Sequence, residues 1–409
     1  MPAAASDTPA VLFTGFEPSG DDHASAVIAE LRRIAPELRL YAWGGPRMEA
    51  AGATIIEYTG RDAVMGMPGL AKIREHRAIN ERIAAWLDEN PVTVHVPVDS
   101  PAANFPICAM AKQRGVKVVH LVAPQIWAWG KWRIRKLRRL TDLALCLLPF
   151  EEGWFTTRGV PARFVGHPLF DEPLEMAEID AQAEALPRGA PKLALMPGSR
   201  PSELRKNFPL LLEAYRALKA EQPELAGVVA AVNDEVAAAL RELAAEEQHF
   251  FRGTPKNRAE ALRALAAKGE GWPEGLHIAS GKADAVIRWC DLALVVSGTV
   301  TLQIARQHKP MVAFYKSSRL LYWLIARWIV STRFFTLPNL IAGREVVPEL
   351  IPHFGGAERL VAAARTLLDD PEAMERQRQD LRDIASRFNG HHAAKSAARA
   401  IAQMAGALK

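Results

Sequence analysis

Chemistry in this chain gathers where short apolar runs give way to glycine, serine and charged residues. In "TGFEPSGDDHA" (Thr14 to Ala24), Gly15 and Gly20 permit a tight turn ahead of a helix. The free amides of such a helix start favour an anion or a sugar hydroxyl. Glu17, Ser19 and Asp21 could line that site, or Ser19 or Asp21 could simply cap the helix. "VPVDSPAANF" (Val96 to Phe105) sets Asp99 at the end of an apolar run. A carboxylate there stands where a general base would point into a cleft, or where a cap for the helix opened by Pro101 would stand.

Two further turns have phosphate chemistry. "LMPGSRPSE" (Leu195 to Glu203) offers the amide of Gly198, the hydroxyl of Ser199 and the planar fork of Arg200, which together could neutralise a diphosphate without a metal. "VVSGTVTLQIA" (Val295 to Ala305) places Ser297, Gly298 and Thr299 at another helix start. "LPNLIAGREVVPEL" (Leu337 to Leu350) reads as an irregular loop whose Asn339, Arg344 and Glu345 suit binding more than packing. The chain has no HExxH, paired CxxC or Walker pattern, so no metal and no cofactor is expected. His167 in "VGHPLFD" reads as the partner of a loop hydrogen bond, and Cys108, Cys146 and Cys290 as buried thiols.

These turns need strands before them and helices after them, and the pattern supplies both. "AVLFTG", "RLYAWGG", "VTVHVPVD", "VKVVHLVAP", "LALCLLP" and "ARFVGHP" read as strands, with helical spacing between most of them. The acidic, alanine-rich segment Asp171 to Pro191 reads as a linker. The alternation then resumes with "KLALMPGS", "AGVVAAV", "LHIASG", "LALVVSG" and "PMVAFYK". Such βαβ repetition predicts an α/β protein of two Rossmann-like domains facing each other across a cleft, with ligand at the carboxyl ends of the strands. The expected divisions are residues 1–175, residues 176–369 and a helical tail, 370–409, that could return to the first domain.

Of the 409 residues, 49% are hydrophobic and 24% charged, an ordinary globular composition, and the net charge of +5 favours anionic partners. The charge concentrates in "APQIWAWGKWRIRKLRRLTD" (Ala123 to Asp142), where three tryptophans precede a basic run. No helix-turn-helix, zinc-finger or RNP pattern accompanies it, so nucleic acid is not an expected partner. The amino terminus lacks the pattern of a signal peptide, and no run is long and apolar enough to span a bilayer. A cytoplasmic protein is the expectation. "SSRLLYWLIARWIV" (Ser317 to Val330) reads as a buried helix or as a second membrane contact.

In their order along the chain, "EPSGDDHA", "GGPRM", "AVMG", "APQIWAWGKWRIRKL", "LPFE", "FVGHPL", "MPGSRPSE", "SGTVTLQ" and "LPNLIAGREVVPEL" resemble the lipid-A-disaccharide synthase family. The resemblance runs from Thr14 to about Leu350 and implies a GT-B glycosyltransferase. It implies an inverting transfer of 2,3-diacylglucosamine from UDP to 2,3-diacylglucosamine 1-phosphate, giving a β(1→6) disaccharide 1-phosphate and UDP. Asp99 and Arg200 would then be catalytic. Gly198, Ser199, Ser297, Gly298, Thr299, Gln303, Asn339, Arg344 and Glu345 would face UDP. Glu17, Ser19, Gly20, Asp21 and Trp127 would face the acceptor.

The same resemblance implies peripheral contact with the anionic inner face of the cytoplasmic membrane, with Arg133, Arg135 and Arg138 meeting lipid phosphate or the acceptor's 1-phosphate. It leaves a homodimer open. Four departures stand out, the first being "GFEPSGD" where the family usually has "GEASGD". The family's usual glutamate after "SGTATL", expected to hold ribose hydroxyls, is Gln303, and its "DAPDFN" is "DSPAAN", with Ala102 replacing an aspartate. "MGMPGL" also differs from the customary sequence after "MG".

Overall fold

The computed structural model describes residues 8–59, 70–128, 130–248, 255–319 and 331–408. "AVMG", most of "MGMPGL", Trp129 and most of the "SSRLLYWLIARWIV" segment lie outside the described residues. The chain divides into two compact units, Met1–Glu172 with Phe388–Lys409, and Pro173–Arg387.

Unit one runs β1 (Ala10–Gly15), α1 (Pro18–Ile34), β2 (Arg39–Gly44), α2 (Pro46–Ala50), β3 (Thr54–Tyr58), α3 (Leu70–Glu89) and β4 (Val94–Val98). It continues through α4 (Pro101–Gln113), β5 (Lys117–Leu121), α5 (Ile134–Leu140), β6 (Leu143–Cys146), α6 (Pro149–Thr156) and β7 (Ala162–Phe164). The strands form a seven-stranded sheet in the order β3-β2-β1-β4-β5-β6-β7. Every pairing is parallel, with Leu12 facing Tyr41 on one side and His95 on the other. Central strands covered on both faces must be apolar throughout, which is why β1 and β4 read as unbroken apolar runs.

Unit two runs α7 (Met176–Glu184), β8 (Lys192–Met196), α8 (Pro201–Glu221), β9 (Ala226–Ala231), α9 (Asp234–Gln248), α10 (Pro255–Ala267) and β10 (Leu276–Ser280). Then come α11 (Ala283–Trp289), β11 (Leu292–Val296), α12 (Val300–Arg306), β12 (Met311–Lys316), the helix Leu337–Ala342 and β13 (Glu349–His353). The helices Glu358–Leu368 and Pro371–Ser386 complete it. Its sheet has six strands in the order β10-β9-β8-β11-β12-β13.

Several expectations change here. The segment read as a linker contains α7, whose Ile179 and Ala183 are buried and whose Asp180 carboxylate accepts a 2.6 Å bond from Arg288. Ile179 and Ala183 therefore pack inside unit two, while Ala177, Ala181 and Ala185 are exposed. The tail 370–409 is divided: Pro371–Ser386 buries Met374, Gln377 and Leu381 in unit two, whereas the final helix, Ala393–Ala405, joins the core of unit one. Asp171 fixes that return, accepting from the amides of Ala393 and Ala394 at 2.7 and 3.0 Å. Phe388 stacks on Phe170 with centroids 4.3 Å apart. The strands β3 and β13 were not expected. All three cysteines are free and buried, as their apolar settings implied.

Candidate active site

Each sheet reverses its strand order once, between β1 and β4 in unit one and between β8 and β11 in unit two. A crevice forms at such a switch point, outside the carboxyl ends of the two strands. All four strand-to-helix turns singled out above lie at these two places.

In unit one the turn after β4 is strained. Asp99 and Ser100 both adopt left-handed backbone, at φ 46° and 37°, a conformation routine only for glycine, visited occasionally by asparagine and aspartate and rare for serine. Pro101 then opens α4. The turn after β1 reaches across to it, for Ser100 Oγ donates a 2.6 Å bond to Glu17 Oε1. Burial pushes the Asp99 carboxyl above its ordinary range; the Ser100 amide and His23 pull it back and the Glu17 carboxylate adds to the rise. Burial conversely lowers His23, against the pull of Asp99 and Asp22. Asp99 is therefore a half-buried carboxylate of enhanced basicity, beside a histidine kept largely neutral. Ser100, not Asp99, holds the N-cap position of α4, and its side chain makes no cap bond.

His23 and Ser100 were not singled out from the sequence. His23 lies one turn beyond Ser19 on α1, inside the motif already noted, and that spacing was the available signal. Ser19 is exposed, whereas Gly20 is buried, and a Cβ built on it would lie 3.7 Å from Gly15 Cα.

Two expected acceptor-side residues make hydrogen bonds within the fold. Both Asp21 oxygens are engaged at the start of α2, accepting from Gly45 N at 3.1 Å, Met48 N at 3.0 Å and Arg47 N at 3.1 Å. A short helix opened by glycine and proline has no capping side chain of its own, so Asp21 supplies it from another helix. Trp127 is buried and donates its indole N–H to Glu151 Oε1 at 2.8 Å. Glu151 Oε2 accepts from the amides of Leu147 and Leu148, and burial raises this carboxyl to about 7. Trp127 therefore pins the start of α6. His167 accepts from Leu169 N at 3.1 Å, the loop bond expected of it.

The basic run forms a short 3-10 helix, Lys131–Arg133, followed by α5. Leu137 and Leu140 face inward, leaving Lys131, Arg135, Lys136, Arg138 and Arg139 exposed. Trp132 is 65% exposed, with the Arg133 guanidinium 5.8 Å from its ring centroid.

In unit two, Gly198 takes φ 94° after β8, which turns the chain into α8 with Arg200 at the N-cap. Arg200 Nη1 meets Glu203 Oε1 at 3.2 Å, and Glu203 Oε2 lies 2.9 Å from a Cβ built on Gly198. One carboxylate thus lies against the glycine and arginine expected to receive a diphosphate. Ser199 is exposed beside them. After β11, Gly298 and Thr299 are exposed, and nothing stands within 4 Å of a Cβ on Gly298. Ser297 Oγ donates to Phe335 O at 3.4 Å, and Thr301 Oγ1 donates back to Gly298 O at 2.8 Å. Gln303 donates from Nε2 to Asp284 Oδ1 at 3.0 Å, and Gln307 donates to the same oxygen at 2.9 Å. A carboxylate therefore does stand beside position 303, supplied by α11.

The "LPNLIAGREVVPEL" segment is more ordered than a binding loop. Asn339 is fully buried: its Oδ1 accepts from Val346 N and Val347 N, and its Nδ2 donates to Val347 O and Glu349 Oε2. Arg344 forms a two-pronged pair with Asp380 at 2.6 and 3.0 Å. Asn339 and Arg344 thus hold this segment to itself and to the helix Pro371–Ser386, while Glu345 is exposed.

A lipid-A-disaccharide synthetase family profile matches residues 11–269 and 255–404. The lipid-A-disaccharide synthase of Anaeromyxobacter dehalogenans is 35% identical over 379 residues, covering 92% of each chain. That of Myxococcus xanthus is 32% identical, covering 97% of each. Among solved structures, a kitacinnamycin glycotransferase superposes with TM-score 0.59 at 16% identity, covering 98% of this chain and all of the other. UDP-GlcNAc 2-epimerase from Neisseria meningitidis gives 0.54 at 11% identity, covering 97% of this chain and 99% of the other. At such identities the structural likeness shows the fold, GT-B, and the sequence matches give the family. The chain belongs to the lipid-A-disaccharide synthase family of UDP-sugar glycosyltransferases.

Proposed function

We propose that the chain moves 2,3-diacylglucosamine from UDP to the 6-hydroxyl of 2,3-diacylglucosamine 1-phosphate, with inversion, giving the β(1→6) disaccharide 1-phosphate and UDP. The observation that carries the reading is Asp99, held on a left-handed turn at the β1/β4 switch point with its carboxyl raised by burial. A sugar hydroxyl is a weak nucleophile, so a positioned carboxylate must take its proton as the new bond forms. The hydroxyl oxygen attacks the anomeric carbon, the bond to the diphosphate breaks, and UDP leaves with the electron pair. Arg200 and the Ser297–Thr299 turn are assigned to the charge that gathers on that leaving group. Glu203 must then release Arg200 as the diphosphate arrives.

Both sugars carry acyl chains, so the reading also places the exposed Trp132 and the cations of α5 against an anionic bilayer surface. Purified protein given both lipid-linked sugars should yield disaccharide and UDP in equal amounts. Asp99→Asn should abolish turnover yet bind UDP as the parent does. Full turnover in Asp99→Asn would reject the base, and no disaccharide from the parent would reject the substrate pair.

A further inference from the structure

Two consecutive left-handed, non-glycine residues do not persist unless their surroundings hold them, since each costs roughly 1–3 kcal/mol. Beneath Asp99 and Ser100 lies a buried polar chain that does so. Asn104 Nδ2 donates to Val98 O at 3.2 Å and to Asp99 O at 2.9 Å, gripping the two carbonyls that frame the kink. Asn104 Oδ1 accepts from Thr14 Oγ1 at 2.6 Å. The Thr14 hydroxyl has one proton and gives it to Asn104, so its 2.9 Å contact with His95 Nε2 must be donated by the imidazole. Thr14, His95 and Asn104 are each fully buried, and His95 Nδ1 has no partner. With the proton on Nε2, Nδ1 is a bare acceptor.

We propose that Thr14 and Asn104 are positioning residues that aim Asp99, forming a relay from β1 and β4 into the strained turn. The relay rests on the reading of Asp99 as the base. It differs from ordinary core packing because its hydrogen bonds end on the backbone of the base itself. Without the Thr14 hydroxyl, Asn104 is free to rotate, the Asp99 carbonyl loses its donor and the turn can relax toward common backbone angles. A carboxylate displaced by about 1 Å from its working position can cost on the order of a hundredfold in rate.

The test is steady-state kinetics and pH profiles of the full-length Thr14→Val and Thr14→Ser proteins, with Asp99→Asn alongside. Thr14→Val keeps the shape and removes the hydroxyl, and its kcat should fall at least tenfold while KM for the UDP-sugar changes less than about twofold. The acid limb of its pH profile should move to lower pH, because a relaxed turn exposes the carboxyl to water. Thr14→Ser, which keeps the hydroxyl, should restore rate and profile. Thr14→Ala replaces the valine variant if that protein does not fold. Parent-like kcat in the valine or alanine variant would overturn the relay, as would a loss with an unmoved acid limb that follows only the folded fraction. If Asp99→Asn stays fully active, the base assignment fails and the relay with it; if only Asp99→Asn is inactive, the relay alone fails.

Discussion

His95 and His120 occupy adjacent central strands, both fully buried, and burial lowers each to about 3, with their mutual repulsion adding to the effect at His95. Both are therefore neutral in the folded protein at neutral pH, whereas an unfolded histidine takes up a proton near pH 6.5. The unfolded chain binds more protons below that pH, so stability falls as pH drops from about 6.5 toward 3. Denaturant unfolding of the parent should lose about 1.4 kcal/mol per histidine for each pH unit in that window. His120→Gln should show a shallower slope, and an identical slope would remove His120 from the account. Asp21 shows what single residues withhold from a sequence reading. An aspartate in the first turn of α1 suits an anion-free cap or a sugar site equally, and its true partners lie at Gly45 to Met48, on another helix. Asp99 was legible as to position, because parallel strands end on their functional residues, but its left-handed backbone was not, since no glycine marks it.

Among the elements, the expected strands that became β1, β2, β4 to β6, β8, β9, β11 and β12 were legible because largely buried parallel strands are near-continuous apolar runs, whereas the edge strands β7 and β10 each carry an exposed residue and were legible from the alternation with helices. The edge strand β3 is only partly buried, and β13 follows directly on a loop rich in polar residues, so neither presents such a run. Gln303 shows how helix packing alters the meaning of a motif. The family's glutamate at this place would stand against Asp284, whose Oδ1 already accepts from Gln303 and Gln307. Gln303→Glu should therefore bring two carboxylates together and destabilise the protein by about 1 kcal/mol at pH 8. One of the pair then takes a raised pKa, so the loss shrinks as pH falls toward 5. Thermal melts at the two pH values check the sign, and Asp284→Asn in the same background should remove the pH dependence. A Gln303→Glu protein as stable as the parent at pH 8 would mean that the helices α11 and α12 separate to accommodate the charges.

At the scale of the whole molecule, the chain crosses between the two units twice, and the second crossing leaves Phe388–Lys409 in the core of unit one. The final helix lies against α1 and the central strands, so unit one is completed only by the last residues of the chain. Unit one also carries the concentration of exposed cations that the sequence put in its single basic run. None of Lys131, Arg133, Arg135, Arg138 and Arg139 is in an ion pair among the described residues, and Trp132 stands exposed at the head of the row. Most other exposed arginines with acidic neighbours are paired, as Arg82 is with Glu57 and Arg365 with Glu221. Cations left unpaired next to an exposed indole suit a surface of lipid phosphate, each contributing about 1 kcal/mol near an anionic leaflet. The full-length protein should thus sediment with vesicles containing phosphatidylglycerol and remain in solution with pure phosphatidylcholine. Arg135→Ala and Arg138→Ala should each weaken partitioning roughly fivefold, with the effect fading as salt is raised. Trp132→Ala should weaken it at every salt concentration, because the indole acts through its apolar body and not through charge. Equal partitioning of all three variants and the parent would move the membrane contact off α5.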